Sequence, residues 1–210
     1  GTFYQPTGVI ISTKTLLSLS KREIIAGYAE ILKSSMIKDS NLFLWLKKNG
    51  HNVIALKEEY CIHAIKRSCE IKSEVVRLDE KESGIREILN FGHTFAHAIE
   101  SYTGYSKKII HGEAVFLGMY LALKFSIYLK LVSKNLLEEF VSHLESLKIS
   151  YKLKDYKINI TPKQFVNHIL FDKKIKNNKI KFILLEDFGK PISYILKKES
   201  LLINFLKGEL

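Results

Sequence analysis

The sequence predicts a mainly α-helical fold, a multihelical bundle with a small C-terminal β-hairpin. Three observations predict it. Only three prolines, Pro6, Pro162 and Pro191, occur in 210 residues, which leaves long stretches free to be helical. Apolar residues recur at helical spacing over most of the chain from Ser20 onward. The clearest pair of β-rich runs lies near the end, around a turn containing Gly189 and Pro191. Hydrophobic residues make up 46% and charged residues 26%, a globular balance that excludes a disordered tail. The length fits one domain of ordinary size with an ample core.

The elements follow in order. GTFYQPTGVIIST opens the chain with a β-branched run at 9–11, which reads as one strand. A lone strand has no partner, so residues 1–18 are expected to be a strand and linker left from a missing preceding domain. Residues 19–210 are then a helical domain. Ser20 and Glu23 fit a capping box, and helical periodicity runs from there through Ile37. Further helices are predicted at about 40–49, 55–80, 86–103, 112–132, 134–147 and 162–170. KIKFILLEDFGKPISYIL supplies the hairpin, and SLLINFLKGEL closes with a helix.

The formal net charge is +11, but arginine is confined to Arg22, Arg67, Arg77 and Arg86. Bidentate reading of phosphates and bases favours arginine, so a nucleic-acid partner is not expected. The apolar run AVFLGMYLAL at 114–123 ends at Lys124. It is too short to span a bilayer and reads as a buried core helix, so no membrane partner is expected. Cys61 and Cys69 sit in one helical pattern about 12 Å apart along its axis, too far to bridge. Reduced cysteines and no signal-peptide pattern point to a cytoplasmic location.

NFGHTFAHAIE, residues 90–100, carries the chemistry. Read as one helix, Arg86, Asn90, His93, His97 and Glu100 lie along a single stripe, facing either open water or a polar cavity. Gly92 inside that helix costs about 1 kcal/mol relative to alanine and marks close approach of something to the backbone. His111-Gly112-Glu113 begins the most apolar helix, which places another histidine at the edge of the core. Two imidazoles from different helices need a third donor for an open metal site, and carboxylate is the usual complement. Glu30, among Ile25, Ala29, Ile31 and Leu32, offers it. A surface ion pair from Glu30 to Lys33, or a hydrogen bond from Ser34, fits the spacing equally well. HTFAH has the spacing of the helical HExxH of zinc proteases, but Thr94 stands where that site needs its glutamate, so a zincin is not expected.

GYAEILKSSMI, CEIKSEVVRLDEKESGIREILNFGHTFAHAIE and HGEAVFLGM together resemble the C-terminal domain of the 3-dehydroquinate synthase family, within the wider sugar phosphate cyclase group. FYQP, FDKK and FILLEDFGK fit the same pattern, and residues 132–165 match least. The resemblance implies an NAD-dependent, phosphate-eliminating lyase of the shikimate pathway, usually dimeric, with a divalent metal, zinc or cobalt, in a cleft between a nucleotide-binding α/β domain preceding residues 1–18 and the helical metal- and substrate-binding domain of residues 19–210. It implies Glu30, His93 and His111 as metal ligands. Its substrate contacts fall on Lys33, Lys72, Glu82, Arg86, Asn90, His97 and either Lys173 or Lys174. Arg86 and Lys72 would hold the substrate carboxylate, Asn90 and His97 would lie near the phosphate, and Lys33 near the hydroxyls. Thr15, Leu16, Leu17 and Ser18 match a segment that touches the NAD.

The implied substrate is 3-deoxy-D-arabino-heptulosonate 7-phosphate, a phosphorylated keto acid. A cluster of lysine, arginine and a dication suits its charge. The sequence has no glycine-rich nucleotide fingerprint, so this piece alone is expected to fold but turn over little. A cyclase acting on a sugar phosphate without the carboxylate, making an inosose or a valiolone, is the nearest alternative. A metal-dependent polyol dehydrogenase fits NFGHTFAH poorly, and a non-catalytic helical module has no need of the Glu, His, His trio.

Overall fold

The computed structural model describes residues 6–81, 84–173 and 180–210, with the side chains of 172 and 173 excluded. Eight α-helices are present among them: α1 Lys21–Lys38, α2 Ser40–Ile54, α3 Glu58–Leu78, α4 His93–Tyr102, α5 His111–Tyr128, α6 Lys134–Ser146, α7 Pro162–Lys173 and α8 Glu199–Lys207. An antiparallel hairpin of β1 Lys181–Asp187 and β2 Lys190–Ile195 precedes α8. The mainly helical class with a C-terminal hairpin is therefore as predicted.

α1 starts where the sequence says it should. The Ser20 hydroxyl accepts from the Glu23 backbone N–H, and Glu23 Oε2 accepts from Ser20 N–H at 2.8 Å. α5 is the central post. Its residues from Gly112 to Ser126 are buried on nearly every side, because α1, α4, α6 and β1 all pack against it. β1 buries four consecutive residues, Phe182, Ile183, Leu184 and Leu185. Its pairing runs from Lys181 opposite Ile195 to Asp187 opposite Lys190, with a bulge near Leu185. Gly189 takes φ +71° in the turn, and its N–H donates to Met36 O at 2.8 Å, which anchors the hairpin to the end of α1.

Two expectations are corrected. The single helix expected over 86–103 is broken: Ile85–Asn90 is a 3₁₀ turn, Gly92 adopts φ +80°, and α4 begins at His93. A left-handed residue ends one helical run and starts another in a new direction. The stripe from Arg86 to Glu100 is thus two short segments. The run at 9–11 forms no strand, since pairing needs a partner edge and none is offered among the described residues. Val9 and Ile10 are 73% and 100% exposed, and the chain enters the bundle through a 3₁₀ turn, Thr13–Ser18. FYQP lies outside the described residues except for Pro6. Cys61 is buried and Cys69 exposed, both as free thiols.

Away from α4, a buried polar pair joins α1 to α6. The Tyr28 hydroxyl and His143 Nε2 are 2.8 Å apart, and His143 is only 1% exposed. Gly50 makes room for them: a Cβ there would lie 2.5 Å from the Tyr28 hydroxyl. Burial, and then the nearby Lys47 charge, lower the His143 imidazole to about 4. An unfolded histidine titrates near 6.5. Between those values only the unfolded chain takes up the proton. This contribution is complete above pH ~6.5 and lost as pH falls toward ~4, by about 3 kcal/mol. Urea unfolding should show wild type losing about that much more stability than His143→Gln between pH ~7 and ~4. Equal losses would contradict the assignment.

Candidate metal and substrate site

Three helices deliver one side chain each to a common point. Glu30 comes from the third turn of α1, His93 from the first residue of α4, and His111 from the first residue of α5. Ligand atoms of the three all lie within 4.8 Å of one another. Glu30 Oε1 is 3.5 Å from His93 Nε2 and 3.6 Å from His111 Nε2.

The local fold explains why those atoms face each other. His93 Nδ1 lies 3.2 Å from the Phe91 carbonyl, which can only accept, so Nδ1 carries the hydrogen and Nε2 keeps its lone pair. His111 Nδ1 donates to Glu100 Oε1 at 3.1 Å, which turns its Nε2 toward Glu30. Gly92 and Gly118 let α4 and α5 approach closely enough. A Cβ on Gly118 would lie 2.2 Å from the Gly92 carbonyl oxygen, and one on Gly92 would lie 2.7 Å from Met119 N. The close approach that Gly92 signalled in the sequence is this backbone contact.

Both contacts that spacing left open for Glu30 are present. Its Oε2 pairs with Lys33 Nζ at 2.7 Å, while its Oε1 is buried without a hydrogen-bond partner and points at the two imidazoles. Ser34 bonds the Glu30 backbone carbonyl instead of the carboxylate, at 2.9 Å. A buried carboxylate oxygen without a partner needs a cation or a donor. Two imidazole nitrogens and one carboxylate oxygen are the donor set of an open zinc site. Donors ~2.1 Å from a tetrahedral cation stand about 3.4 Å apart. The separations from Glu30 to both histidines fit that value.

The electrostatics follow from the same contacts. Burial would raise the Glu30 carboxyl, but His111, Lys33 and His93 outweigh it and hold it down at about 2. Burial, helped by the Lys33 charge, lowers His93 to about 4, so it is neutral near pH 7. Glu100, then Glu30, raise His111 to about 9. Burial also lowers Lys33, which Lys72 reinforces by charge repulsion and Glu30 opposes.

The other expected substrate residues are placed as follows. His97, one turn beyond His93, has its ring centroid 5.5 Å from that of His93 and 6.4 Å from that of His111. Lys33 and Lys72 stand close enough to repel each other, on α1 and the exposed face of α3. Arg86 and Asn90 lie on the 3₁₀ turn, which packs against α1 and α3. The Arg86 guanidinium donates to the Glu80 carbonyl at 2.5 Å, and its backbone N–H to Asp79 Oδ2 at 3.0 Å. Thr15, Leu16, Leu17 and Ser18 form part of a largely exposed turn before α1. They are not brought into the trio, since Glu30 lies about 14 Å along the axis from the start of α1. Glu82 and Lys174 lie outside the described residues, as does the side chain of Lys173. Sequence reasoning assigned no role to Glu100, Arg22 or Glu113. Glu100 was visible on the polar stripe, whereas the other two carry no periodic signal.

The same fold occurs in part of two solved synthases. A 2-epi-5-epi-valiolone synthase from Streptomyces hygroscopicus, solved with NAD+ and Zn2+ bound, matches with a TM-score of 0.80 at 20% identity, over 93% of this chain and 53% of its own. A 2-deoxy-scyllo-inosose synthase, solved with carbaglucose-6-phosphate, NAD+ and Co2+, matches with a TM-score of 0.76 at 21% identity, over 94% and 55%. Sequence narrows the class further. The family model for the 3-dehydroquinate synthase C-terminal domain matches residues 27–175, and the chain belongs to that family. The 3-dehydroquinate synthase of Pelagibacter ubique is 43% identical over 210 residues, covering 100% of this chain and 57% of that protein. That of Francisella tularensis is 44% identical over 201 residues, covering 95% and 54%. The chain therefore spans little more than half the length of these curated relatives. No helix among the described residues is long and apolar enough to cross a membrane.

Proposed function

We propose that this chain is the metal- and substrate-binding half of a 3-dehydroquinate synthase, a carbon–oxygen lyase that converts 3-deoxy-D-arabino-heptulosonate 7-phosphate to 3-dehydroquinate and phosphate. The observation that carries the reading is the meeting of Glu30, His93 and His111 within the stretch that matches the family. Residues 1–18 link this half to a nucleotide-binding domain that supplies most of the NAD contacts, with Thr15, Leu16, Leu17 and Ser18 completing them. The working protein is a homodimer in the cytoplasm, where free Cys61 and Cys69 stay reduced.

Glu30, His93 and His111 would hold a zinc or cobalt ion, both of which suit this donor set. The ion supplies Lewis-acid stabilisation of developing oxygen charge, and NAD takes and returns one hydride. The chain's own residues do the rest. Lys72 and Arg86 bind the carboxylate, Asn90 and His97 stand at the phosphate, and Lys33 orients the hydroxyls next to Glu30. Glu82 and Lys173 or Lys174 complete the set. The departing phosphate can take the proton released at the neighbouring carbon, so no separate protein base is needed. Arg86 and Lys72 favour a carboxylated substrate over the carboxylate-free sugar phosphates of other cyclases.

The test is phosphate release from the heptulosonate phosphate in the presence of NAD and Zn2+. The chain joined to the N-terminal half of the Pelagibacter ubique relative should release phosphate, and the 210-residue chain alone should not rise above background. Equal turnover by the chain alone, or preference of the joined protein for a carboxylate-free sugar phosphate, would overturn the reading.

A further inference from the structure

Arg22, Ala26 and Glu30 are spaced four apart on α1 and so share one stripe. The first three residues of α5 meet that stripe one by one. Arg22 grips Glu113 with a two-pronged contact, Nε to Oε1 at 2.7 Å and Nη2 to Oε2 at 2.6 Å. Gly112 lies against Ala26, where a Cβ would come within 2.0 Å of the Ala26 carbonyl oxygen. His111 faces Glu30 at 3.6 Å. The clamp continues into the chain that leads to α5. Arg22 Nη1 donates to the Lys107 carbonyl at 2.8 Å and Nη2 to the Lys108 carbonyl at 3.1 Å. Glu113 Oε2 also accepts from the Ile110 N–H at 3.0 Å. The residue before α5 is Ile110, whose side chain cannot cap a helix, so Glu113 and Arg22 are what fix this helix start.

We propose that Arg22 and Glu113 are positioning residues that set the distance and rotation of His111 relative to Glu30. The proposal rests on the reading of Glu30, His93 and His111 as a metal site. The packing of α5 fixes the body of the helix, but at its first turn the Gly112 contact allows close approach to α1 without setting a direction. A planar guanidinium on a carboxylate fixes both spacing and orientation. His111 is the first residue of its helix, with no preceding turn to hold its backbone; Glu100 orients the ring, and the Glu113 clamp two residues on sets where that backbone sits.

The test compares the wild-type chain with Arg22→Ala and Arg22→Lys, using Co2+ as the probe. Arg22 is about half exposed, and both variants should keep the far-ultraviolet circular dichroism of the wild type. Chelator competition should show Arg22→Ala binding Co2+ roughly 10- to 100-fold more weakly, with altered visible absorption of the bound ion. Arg22→Lys should fall between the two, since it keeps the charge and loses the fork. A role in stability alone would leave the Co2+ absorption of the folded variant unchanged. Equal affinity and an unchanged spectrum in Arg22→Ala would overturn the proposal. If the wild type itself binds no Co2+, the metal reading fails, and a crystal structure of Arg22→Ala decides the clamp separately. A wider gap between His111 Nε2 and Glu30 Oε1 supports it, and a gap still at 3.6 Å overturns it.

Discussion

Gly118→Ala will destabilise the chain by about 3 kcal/mol or prevent folding, as overpacking at a rigid contact does. The added methyl would lie 2.2 Å from the Gly92 carbonyl oxygen and 3.0 Å from Ala96 N. Both are backbone atoms, so no side chain can swing aside. The Gly92 carbonyl accepts the Ala96 N–H at 3.0 Å, closing the first turn of α4. Pushing it away breaks the turn that carries His93. Gly27→Ala is the matched control. It lies in the middle of α1 with nothing within 4 Å of the new methyl. There alanine should stabilise the helix by up to about 1 kcal/mol. Urea denaturation of the two variants checks both signs, and a Gly118→Ala chain as stable as wild type would contradict the packing account.

The second large effect is on the cation. Glu30→Ala should weaken Zn2+ or Co2+ binding by on the order of 100-fold or more. Structural zinc sites with four donors bind with an apparent 10–16 kcal/mol, so one donor accounts for about 3 kcal/mol. The same change removes the partner of Lys33, which is only 7% exposed at its side chain. A buried ammonium without its carboxylate is less favourable, so the variant should remain folded at reduced thermal stability. Competition with a chromogenic chelator measures the first effect, and the thermal transition reports the second. Undiminished metal uptake by Glu30→Ala would remove this residue from the site.

The helical frame was legible because its signals are local. The Ser20 and Glu23 box marks the start of α1, and the unbroken apolar run from Ala114 marks α5. Gly189 and Pro191 mark the hairpin. Where local signals and tertiary contacts disagree, the sequence misleads. Residues 86–103 keep helical spacing through Gly92, but the left-handed turn there is imposed by the approach of α5 at Gly118 and Met119. α2 was expected to end near Asn49 yet continues through Gly50 to Ile54; the glycine there is not a helix stop but leaves room for Tyr28 and His143. The short 3₁₀ turn at Leu153–Tyr156 sits in the stretch where only helix patterning was readable. The convergence of Glu30, His93 and His111 was legible because chemistry restricts which residue types can ligate a metal, and that narrowed the candidates to these three. The Arg22 and Glu113 clamp was not, since a pairing across 91 residues of sequence leaves no periodic trace.

A crystal of the chain soaked in Co2+ and read by anomalous scattering tests the central claim most directly. The account predicts one dominant peak within about 2.0–2.2 Å of Glu30 Oε1, His93 Nε2 and His111 Nε2. A peak at Cys69 or at the exposed histidines instead, with those three atoms bare, would contradict it.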